Sequence, residues 1–277
     1  MAVPQLSVAA SSPYQPRVPI ASLTKMMTTW VVLHQRPLTY AQPGPCLTVT
    51  AAQYAMWKYD VATDQSNAQI AIGETVCERT LLRGLLVHSA GDYAQLLVTL
   101  IGWSEPQFVA AMNHDAAALG LRRTHYVDNT GILPGNVSTA HDQATLAVRL
   151  MAAEPIVRII VALTQVDLPV AGVVASYTPL IGQYGVIGVK SGYTNAAGGC
   201  DVMAIHVVLD NVPVTTYAVV LGQHGANPLA LAGAAALALS RILRSSIKVI
   251  ATPSGRAIAW VGWRGDVVAH SSPIPVS

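Results

Sequence analysis

A serine and a lysine stand three residues apart, at Ser22 and Lys25, within the segment 21–30. Apolar residues recur here at the spacing of a buried helix, and positions i and i+3 share one helix face, so the two side chains are expected to meet. A serine hydroxyl becomes a good nucleophile near neutral pH only when a neighbouring base takes its proton. Lysine can be that base where burial or positive charge lowers its pKa. The structural alternative is that Ser22 caps the helix and Lys25 is solvated.

Two other segments place polar residues where predicted elements meet. The segment 88–92, His-Ser-Ala-Gly-Asp, separates two apolar helices, so Ser89 is expected to be held from both sides. The segment 190–192, Lys-Ser-Gly, ends an apolar strand, and Gly192 lets that strand lie against a bound peptide backbone because glycine has no Cβ. Considered singly, Ser89 is also explained as a helix cap and Lys190 as a surface residue at a strand end.

The hydrophobic pattern predicts the elements that position these side chains. Helices are predicted at 22–36, from 51 onward, and at 80–87, 93–101, 105–119, 140–153, 155–163 and 229–244, and strands at 46–50, 73–78, 124–127, 184–194, 200–209 and 212–221. The turn at 210–211 joins the last two strands into a hairpin. Residues 1–21 are expected to form at most one short edge strand, residues 164–182 a looser strand-and-loop stretch, and residues 247–270 three short β runs with turns at 253–255 and 264–265.

Composition restricts the class of protein. A chain of 277 residues with 52% apolar and 11% charged residues is well packed, with one large domain or one large and one small domain. A net charge of +2 is too small to indicate nucleic-acid binding. The uncharged helical run 229–240 is shorter than the about 20 residues of a membrane-spanning helix. Residues 1–12 lack the basic start and apolar core of a signal peptide. The three cysteines have no paired metal-ligand spacing.

The order Ser-x-x-Lys, Ser-x-Gly and Lys-Ser-Gly resembles that of the serine-type D-alanyl-D-alanine carboxypeptidases, the low-molecular-mass penicillin-binding proteins of the penicilloyl-serine transferase and β-lactamase-like superfamily. The resemblance covers roughly residues 15–245 and is carried by the segments 19–28, 81–94, 119–121, 138–140, 188–194 and 197–198. It implies an α/β fold of the α+β kind: an antiparallel five-stranded sheet flanked by helices, with a helical subdomain. It also implies a catalytic domain over residues 1–245 and a short C-terminal β extension over 246–277.

The resemblance assigns a role to each motif residue. Ser22 would be the acylated nucleophile, and Lys25 would take its proton. Ser89 would pass a proton to the departing D-alanine, Lys190 would raise the local positive potential and steer the substrate's carboxylate, and Ser191 would hydrogen-bond that carboxylate. The other substrate-binding positions would be Gly91, Gly192 and Tyr193. The backbone N–H groups of Ser22 and Tyr193 would form an oxyanion hole.

The resemblance also implies partners and a compartment. The substrate would be a peptidoglycan stem peptide ending in D-Ala-D-Ala, β-lactams would be covalent inhibitors, and no cofactor, metal ion or nucleic acid is implied. The protein would be exported to the periplasmic or extracellular face of the bacterial membrane or cell wall, with peripheral membrane association as an option, and disulfides are stable there. Because the family's strands near Cys46 and Cys77 come close together, we expect a Cys46–Cys77 bridge, with Cys200 free and buried.

Departures from the family pattern keep alternatives open. Gly91 stands where the family usually has an asparagine that contacts the substrate and the catalytic lysine. The main alternative is therefore a catalytically impaired protein that binds penicillins or peptidoglycan. The 21 residues before Ser22 are fewer than the family's usual strand pair, so one sheet edge is expected to be short or missing. Ser191 replaces a threonine but keeps the hydroxyl. A class A β-lactamase would need a glutamate in a Glu-x-x-Leu-Asn setting, and a zinc peptidase a Glu-x-x-His pair; neither pattern occurs.

Overall fold

The computed structural model describes residues 1–6, 8–251, 256–263, 266–270 and 274–275 of the chain. The α-helices within these ranges are α1 Thr24–Gln35, α2 Ala51–Ala62, α3 Glu78–Val87, α4 Gly91–Ile101, α5 Glu105–Ala118, α6 Ala140–Ala153, α7 Pro155–Val161 and α8 Pro228–Ser246. Short 3-10 helices cover Pro4–Leu6 and Ala21–Leu23. The strands are β1 Ala2–Val3, β2 Val8–Ala9, β3 Val18–Pro19, β4 Cys46–Thr48, β5 Thr75–Cys77, β6 Val137–Ser138, β7 Gln165–Leu168, β8 Gly172–Ala175, β9 Val186–Thr194, β10 Gly198–Leu209, β11 Val212–Gln223, β12 Ile247–Ala251, β13 Arg256–Trp263, β14 Asp266–His270 and β15 Ile274–Pro275.

An antiparallel five-stranded sheet forms the centre of the fold, in the order β2-β1-β11-β10-β9. Its long hairpin of β10 and β11 turns through Asp210 and Asn211, and both have the positive φ that a tight hairpin turn requires. The predicted sheet and hairpin are therefore confirmed. β9 stands at the end of the strand order, so one of its sides is not paired within this sheet.

Helices cover both faces of this sheet, because successive side chains of a strand point to opposite faces. Along β10, Val202 and Ala204 pack into a large apolar cluster that includes residues of α1 and of α3 to α7. Met203 and Ile205 pack into a second cluster with residues of α8. The prediction of a sheet flanked by helices is confirmed, and the first cluster anchors the helices that carry the N-terminal motifs.

The prediction of at most one short strand in residues 1–21 is wrong. β1 pairs with β11, β2 pairs with β1, and β3 pairs with β6. Each of these strands has two residues, so the sheet edge is short, as expected, but present. Strands of two residues are too short to show an alternating pattern, and the prolines among them indicate loop.

The predicted strand-and-loop stretch 164–182 contains a hairpin, β7 with β8, in agreement with the prediction. Two other expectations need adjustment. Residues 124–127 form no strand, and His125 makes a single isolated bridge to Val137. α8 extends beyond the predicted run, and by length and composition it is the one helix in the described ranges that qualifies to cross a membrane. One face of α8 packs against the central sheet, as the core helices of many folded domains do.

A disulfide joins Cys46 to Cys77, which face each other across β4 and β5. Their Cα atoms are 3.8 Å apart, within reach of a bridge. Cys200 is free and buried. The predicted pairing and the predicted free cysteine are both confirmed.

The C-terminal β runs form a separate four-stranded sheet of β12, β13, β14 and β15. Three β runs are expected from the sequence, and β15 is an addition. The turns expected at 253–255 and 264–265 lie outside the described residues. The division into a catalytic domain over 1–245 and a β extension over 246–277 stays a prediction.

Candidate active site

Ser22 lies in the 3-10 turn that leads directly into α1. The preceding residue, Ala21, has a φ of 47°, a left-handed value that residues with a Cβ rarely adopt. A Cβ on Gly131 would lie 1.9 Å from the carbonyl oxygen of Ala21, so only glycine permits this close approach. The strained backbone at Ala21 and the close approach of Gly131 fix the position of Ser22. Backbone strain of this kind clusters at active sites.

Lys25 reaches Ser22 from one turn further along the chain. Its Nζ donates hydrogen bonds to Ser22 Oγ at 2.9 Å and to Thr130 O at 2.7 Å. The Lys25 side chain is 2% exposed, and this burial lowers its pKa to about 8. Nearby aspartates, of which Asp128 has the largest effect, raise the pKa and so partly oppose the effect of burial. An amine with this pKa exchanges its proton near neutral pH, as a general base for Ser22 must.

Asp128 organises the turn that supplies the second acceptor for Lys25. Its carboxylate accepts hydrogen bonds from Thr130 N at 2.6 Å and from Asn136 Nδ2 at 2.7 Å. These bonds satisfy a buried carboxylate and hold Thr130 O in place. The sequence predicts residues 128–131 as a turn, but the contact of Thr130 with a lysine 105 positions away has no local signal.

Ser89 lies in the break between α3 and α4, where the sequence predicts a junction. Its φ is 63°, and its buried Oγ has no hydrogen-bond partner among the described residues. A buried hydroxyl without a partner is costly, so this one is available to a ligand. Gly91 N donates to Ser66 O at 2.7 Å, which ties the break to the loop after α2.

β9 packs its backbone against Ser22. A Cβ on Gly192 would lie 2.6 Å from Ser22 N and 3.1 Å from Ser22 Cα. The missing side chain of Gly192 is expected to let a substrate backbone approach β9. The structure adds a second reason, because only glycine lets β9 lie this close to Ser22 itself.

The hydroxyl of Ser191 is engaged within the protein. It donates to Tyr177 O at 2.8 Å. Tyr177 N donates to Val87 O at 3.0 Å, and the Tyr177 ring stacks on His88 with ring centroids 4.5 Å apart. Tyr177 thus bridges β9 and the end of α3, although no sequence pattern singles it out. A serine hydroxyl has one proton, so Ser191 must leave Tyr177 O before it can donate to a substrate carboxylate.

Lys190 is fully buried behind Ser191 and does not line the space in front of Ser22. Its Nζ donates to Ser191 O at 2.7 Å. Burial, followed by the charge of Lys25, lowers the pKa of Lys190, while Asp201 on β10 opposes this effect. Two amines in one dry region repel each other, so the pair holds a single positive charge more readily than two. The alternative of a solvated lysine at a strand end is wrong for Lys190.

A cavity of about 470 Å³ opens in front of Ser22. Its volume lies in the range of about 300–1,000 Å³ that is typical of ligand sites. The cavity is lined by seven of the eight predicted site residues: Ser22, Lys25, Ser89, Gly91, Ser191, Gly192 and Tyr193. Tyr177, residues 130–132 and the loop 63–66 complete much of the lining. These last residues are distant in sequence from the motifs, and only the folded chain brings them to the cavity.

This arrangement has the parts needed for acyl transfer. It combines a hydroxyl with an adjacent amine of lowered pKa, a ligand-sized cavity and a strand edge along which an extended peptide can lie. Within the described ranges, no three His, Cys, Asp or Glu side chains form a group that could hold a metal ion.

Comparisons with known proteins agree with this chemistry. Residues 7–225 match the family model described as D-alanyl-D-alanine carboxypeptidase. The chain is 37% identical over 149 residues to the D-alanyl-D-alanine carboxypeptidase DacD of Salmonella typhimurium, a match that covers 53% of this chain and 37% of that protein. It is 29% identical over 205 residues to a D-alanyl-D-alanine endopeptidase of Escherichia coli, covering 71% of this chain and 61% of that protein.

A solved structure shows the same fold. The DD-transpeptidase of Streptomyces K15 superposes with a TM-score of 0.71 at 25% identity, covering 84% of this chain and 92% of that one. The matches to the two curated relatives span 37% and 61% of the length of those proteins.

Proposed function

The chain belongs to the D-alanyl-D-alanine carboxypeptidase family, and on this premise we propose that it is a serine peptidase that removes the terminal D-alanine from peptidoglycan stem peptides. The observation that carries the proposal is the 2.9 Å hydrogen bond between Lys25 Nζ and Ser22 Oγ, made beside a ligand-sized cavity. A neutral lysine at this position takes the proton of Ser22 while the oxygen attacks a carbonyl carbon.

The proposed reaction has two steps. Ser22 Oγ attacks the carbonyl carbon of the penultimate D-alanine, and its proton passes to Lys25. The backbone N–H groups of Ser22 and Tyr193 stabilise the oxyanion, a contribution worth about 3–4 kcal/mol per donor in comparable sites. The proton on Lys25 is then relayed through the hydroxyl of Ser89 to the departing nitrogen, the C–N bond breaks, and D-alanine leaves, so that Lys25 is neutral again. Water, activated by the amine of Lys25, attacks the ester on Ser22 and releases the shortened peptide.

Residues of β9 recognise the substrate's terminal carboxylate. Ser191 turns its hydroxyl from Tyr177 O toward the carboxylate, and the exchange of one acceptor for another keeps the proton bonded throughout. Lys190 acts through its charge from behind the cavity wall, because its Nζ is bonded to Ser191 O and its side chain is buried. β-Lactams present a carbonyl and a carboxylate to the same groups, and we propose that they acylate Ser22.

The proposed substrate requires export. Peptidoglycan stems lie outside the cytoplasmic membrane, so the protein would act at the periplasmic or extracellular face. The Cys46–Cys77 disulfide supports this proposal, because such bonds persist in oxidising compartments and are rare in the cytosol.

The test of the function is release of D-alanine from diacetyl-L-lysyl-D-Ala-D-Ala, measured beside covalent labelling by a penicillin. Hydrolysis together with labelling supports the peptidase. Labelling without release supports the second candidate, a receptor that binds stem peptides or penicillins without turnover. The observation that favours this second candidate is Gly91, which lines the cavity beside Ser89 but has no side-chain amide to offer a ligand.

Gly91→Asn is expected to raise the rate of D-alanine release about tenfold. A Cβ on Gly91 would lie 3.2 Å from Ser66 O and 3.9 Å from Thr130 Cγ2, so the substitution requires the loop at Ser66 to move by a few tenths of an ångström. The added amide would donate a hydrogen bond in the cavity, and each such bond contributes about 1 kcal/mol. The measurement is the steady-state rate of D-alanine release.

The control for Gly91→Asn is Gly91→Leu, which has a similar volume and no amide. A gain with asparagine alone supports the missing amide as the cause of weak turnover. Equal rates in both variants, or a loss with asparagine, would show that the amide has no role at this position.

A further inference from the structure

Asp64 is the one carboxylate that lines the catalytic cavity within the described part of the chain. It follows α2, its side chain is exposed at the rim, and no described residue forms a hydrogen bond or an ion pair with its carboxylate. Lys25 is the other charged side chain in the cavity lining. The cavity therefore has a buried amine beside Ser22 and a carboxylate at its rim.

The loop that carries Asp64 is held in place against the catalytic groups. Ser66 O accepts a hydrogen bond from Gly91 N at 2.7 Å, and Gln65 Nε2 donates to Thr63 Oγ1 at 2.9 Å. Gln65 N also donates a hydrogen bond to Asp60 O, in the last turn of α2, at 2.9 Å. These bonds make the loop a fixed wall of the cavity, so the carboxylate of Asp64 is presented at a defined place.

Two other features point to a ligand in the same cavity. The buried Oγ of Ser89 lines it without a hydrogen-bond partner among the described residues. Asp60, one helical turn before Asp64, is half-buried and interacts electrostatically with Lys25, so it adds negative potential on the loop side. β9 forms another wall of the cavity, with the buried Lys190 behind it. The cavity thus suits a ligand with a carboxylate at one end and a cation toward the other.

We propose that Asp64 selects peptides whose residue before the D-Ala-D-Ala pair carries a free side-chain ammonium group. The proposal rests on the proposed function, because that function places the peptide's carboxylate along β9. The terminal carboxylate then lies beside Ser191, and the preceding residues extend through the cavity to its rim. An ammonium on a flexible side chain reaches the carboxylate of Asp64 there and forms an ion pair.

The size of the effect follows from the exposure of Asp64. Exposed ion pairs contribute about 0.2–1 kcal/mol, and partial burial by a bound peptide raises this value. We therefore expect a threefold to tenfold preference in kcat/KM. Because the pair lies at the solvent boundary, the preference should shrink as the ionic strength rises.

The experiment compares α-acetyl-L-lysyl-D-Ala-D-Ala, which has a free ammonium, with diacetyl-L-lysyl-D-Ala-D-Ala, which has none. Each is tested on the wild-type protein, Asp64→Asn and the control Asp167→Asn. Asparagine tolerates the left-handed φ of 55° at position 64, so the first variant removes the charge and keeps the backbone. Asp167 is an exposed carboxylate on β7 and does not line the cavity.

The proposal predicts a threefold to tenfold preference for the free ammonium in the wild type and in Asp167→Asn, and a ratio near one in Asp64→Asn. Equal rates for the two peptides in the wild type, or a preference that survives in Asp64→Asn, would overturn it. If neither peptide is hydrolysed, the proposed peptidase fails separately. The preference is then measured as the ratio of peptide concentrations that halve labelling by penicillin, with the same expected and contrary results.

Discussion

Replacing Lys25 with alanine is expected to slow acylation of Ser22 by penicillin about a thousandfold, because general-base catalysis of this kind contributes about a hundredfold to ten-thousandfold. Lys25 Nζ lies 2.9 Å from Ser22 Oγ, and the Lys25 side chain is buried. The measurement is the second-order rate constant for labelling by a fluorescent penicillin, with thermal unfolding recorded to show that the variant is folded.

Lys25→Arg tests whether Lys25 acts by accepting a proton or only through its positive charge. Arginine keeps the positive charge but does not lose its proton in proteins, so it cannot accept the proton of Ser22. We expect this variant to be as impaired as Lys25→Ala, while Lys58→Ala, which removes an exposed lysine of α2, keeps the wild-type rate. A Lys25→Arg variant that acylates within tenfold of the wild-type rate would show that Lys25 acts through charge alone.

The same base predicts the pH dependence of acylation. The pKa of Lys25 is lowered to about 8, and only the neutral amine accepts a proton. The rate should therefore rise about tenfold per pH unit from pH 5.5 toward pH 8 and then level off. The rising limb should be absent in Lys25→Arg. A rate that is constant between pH 5.5 and 8 in the wild type would contradict the role of Lys25 as the base.

Gly192→Ala is expected to lower the rate of acylation about a hundredfold or more, although it adds a single methyl group. The new Cβ would lie 2.6 Å from Ser22 N and 3.2 Å from Ala21 Cβ, distances that non-bonded atoms do not hold. β9 must therefore move away from Ser22, and the N–H of Tyr193 moves with it. Misplacement by about 1 Å costs around a hundredfold, and loss of one oxyanion donor costs about a hundredfold to a thousandfold.

The measurement for Gly192→Ala is again the rate of labelling by penicillin, together with the free energy of unfolding. The account predicts a large loss of rate with a smaller loss of stability, because the clash lies at the edge of the sheet. A variant that labels at the wild-type rate would show that β9 does not hold the oxyanion donor in place.

The parts of the site that could be predicted are those with local signals. Ser22 and Lys25 are one helical turn apart, so the spacing alone predicts their contact, and the 2.9 Å hydrogen bond agrees with it. Ser89 was expected at a junction between helices because the apolar pattern stops and restarts there, and the structure has its break between α3 and α4. The long strands β9, β10 and β11 have clear apolar runs bounded by turn residues.

The parts that could not be predicted depend on contacts between distant segments. Thr130 O accepts from Lys25, and Tyr177 O accepts from Ser191, but backbone carbonyls have no signature in the sequence. Lys190 is buried, although a lysine at the end of a strand is usually solvated. β1 and β2 have two residues each, and such strands are defined by their partners in the sheet and not by their own pattern.

The most direct test of the account is the mass of the intact protein after incubation with a penicillin, followed by mapping of the modified peptide. The account predicts an increase equal to the mass of one penicillin molecule, located on Ser22, and no increase for Ser22→Ala. An adduct that persists in Ser22→Ala, or a wild-type protein that stays unmodified by a series of penicillins, would contradict the assignment of Ser22 as the nucleophile.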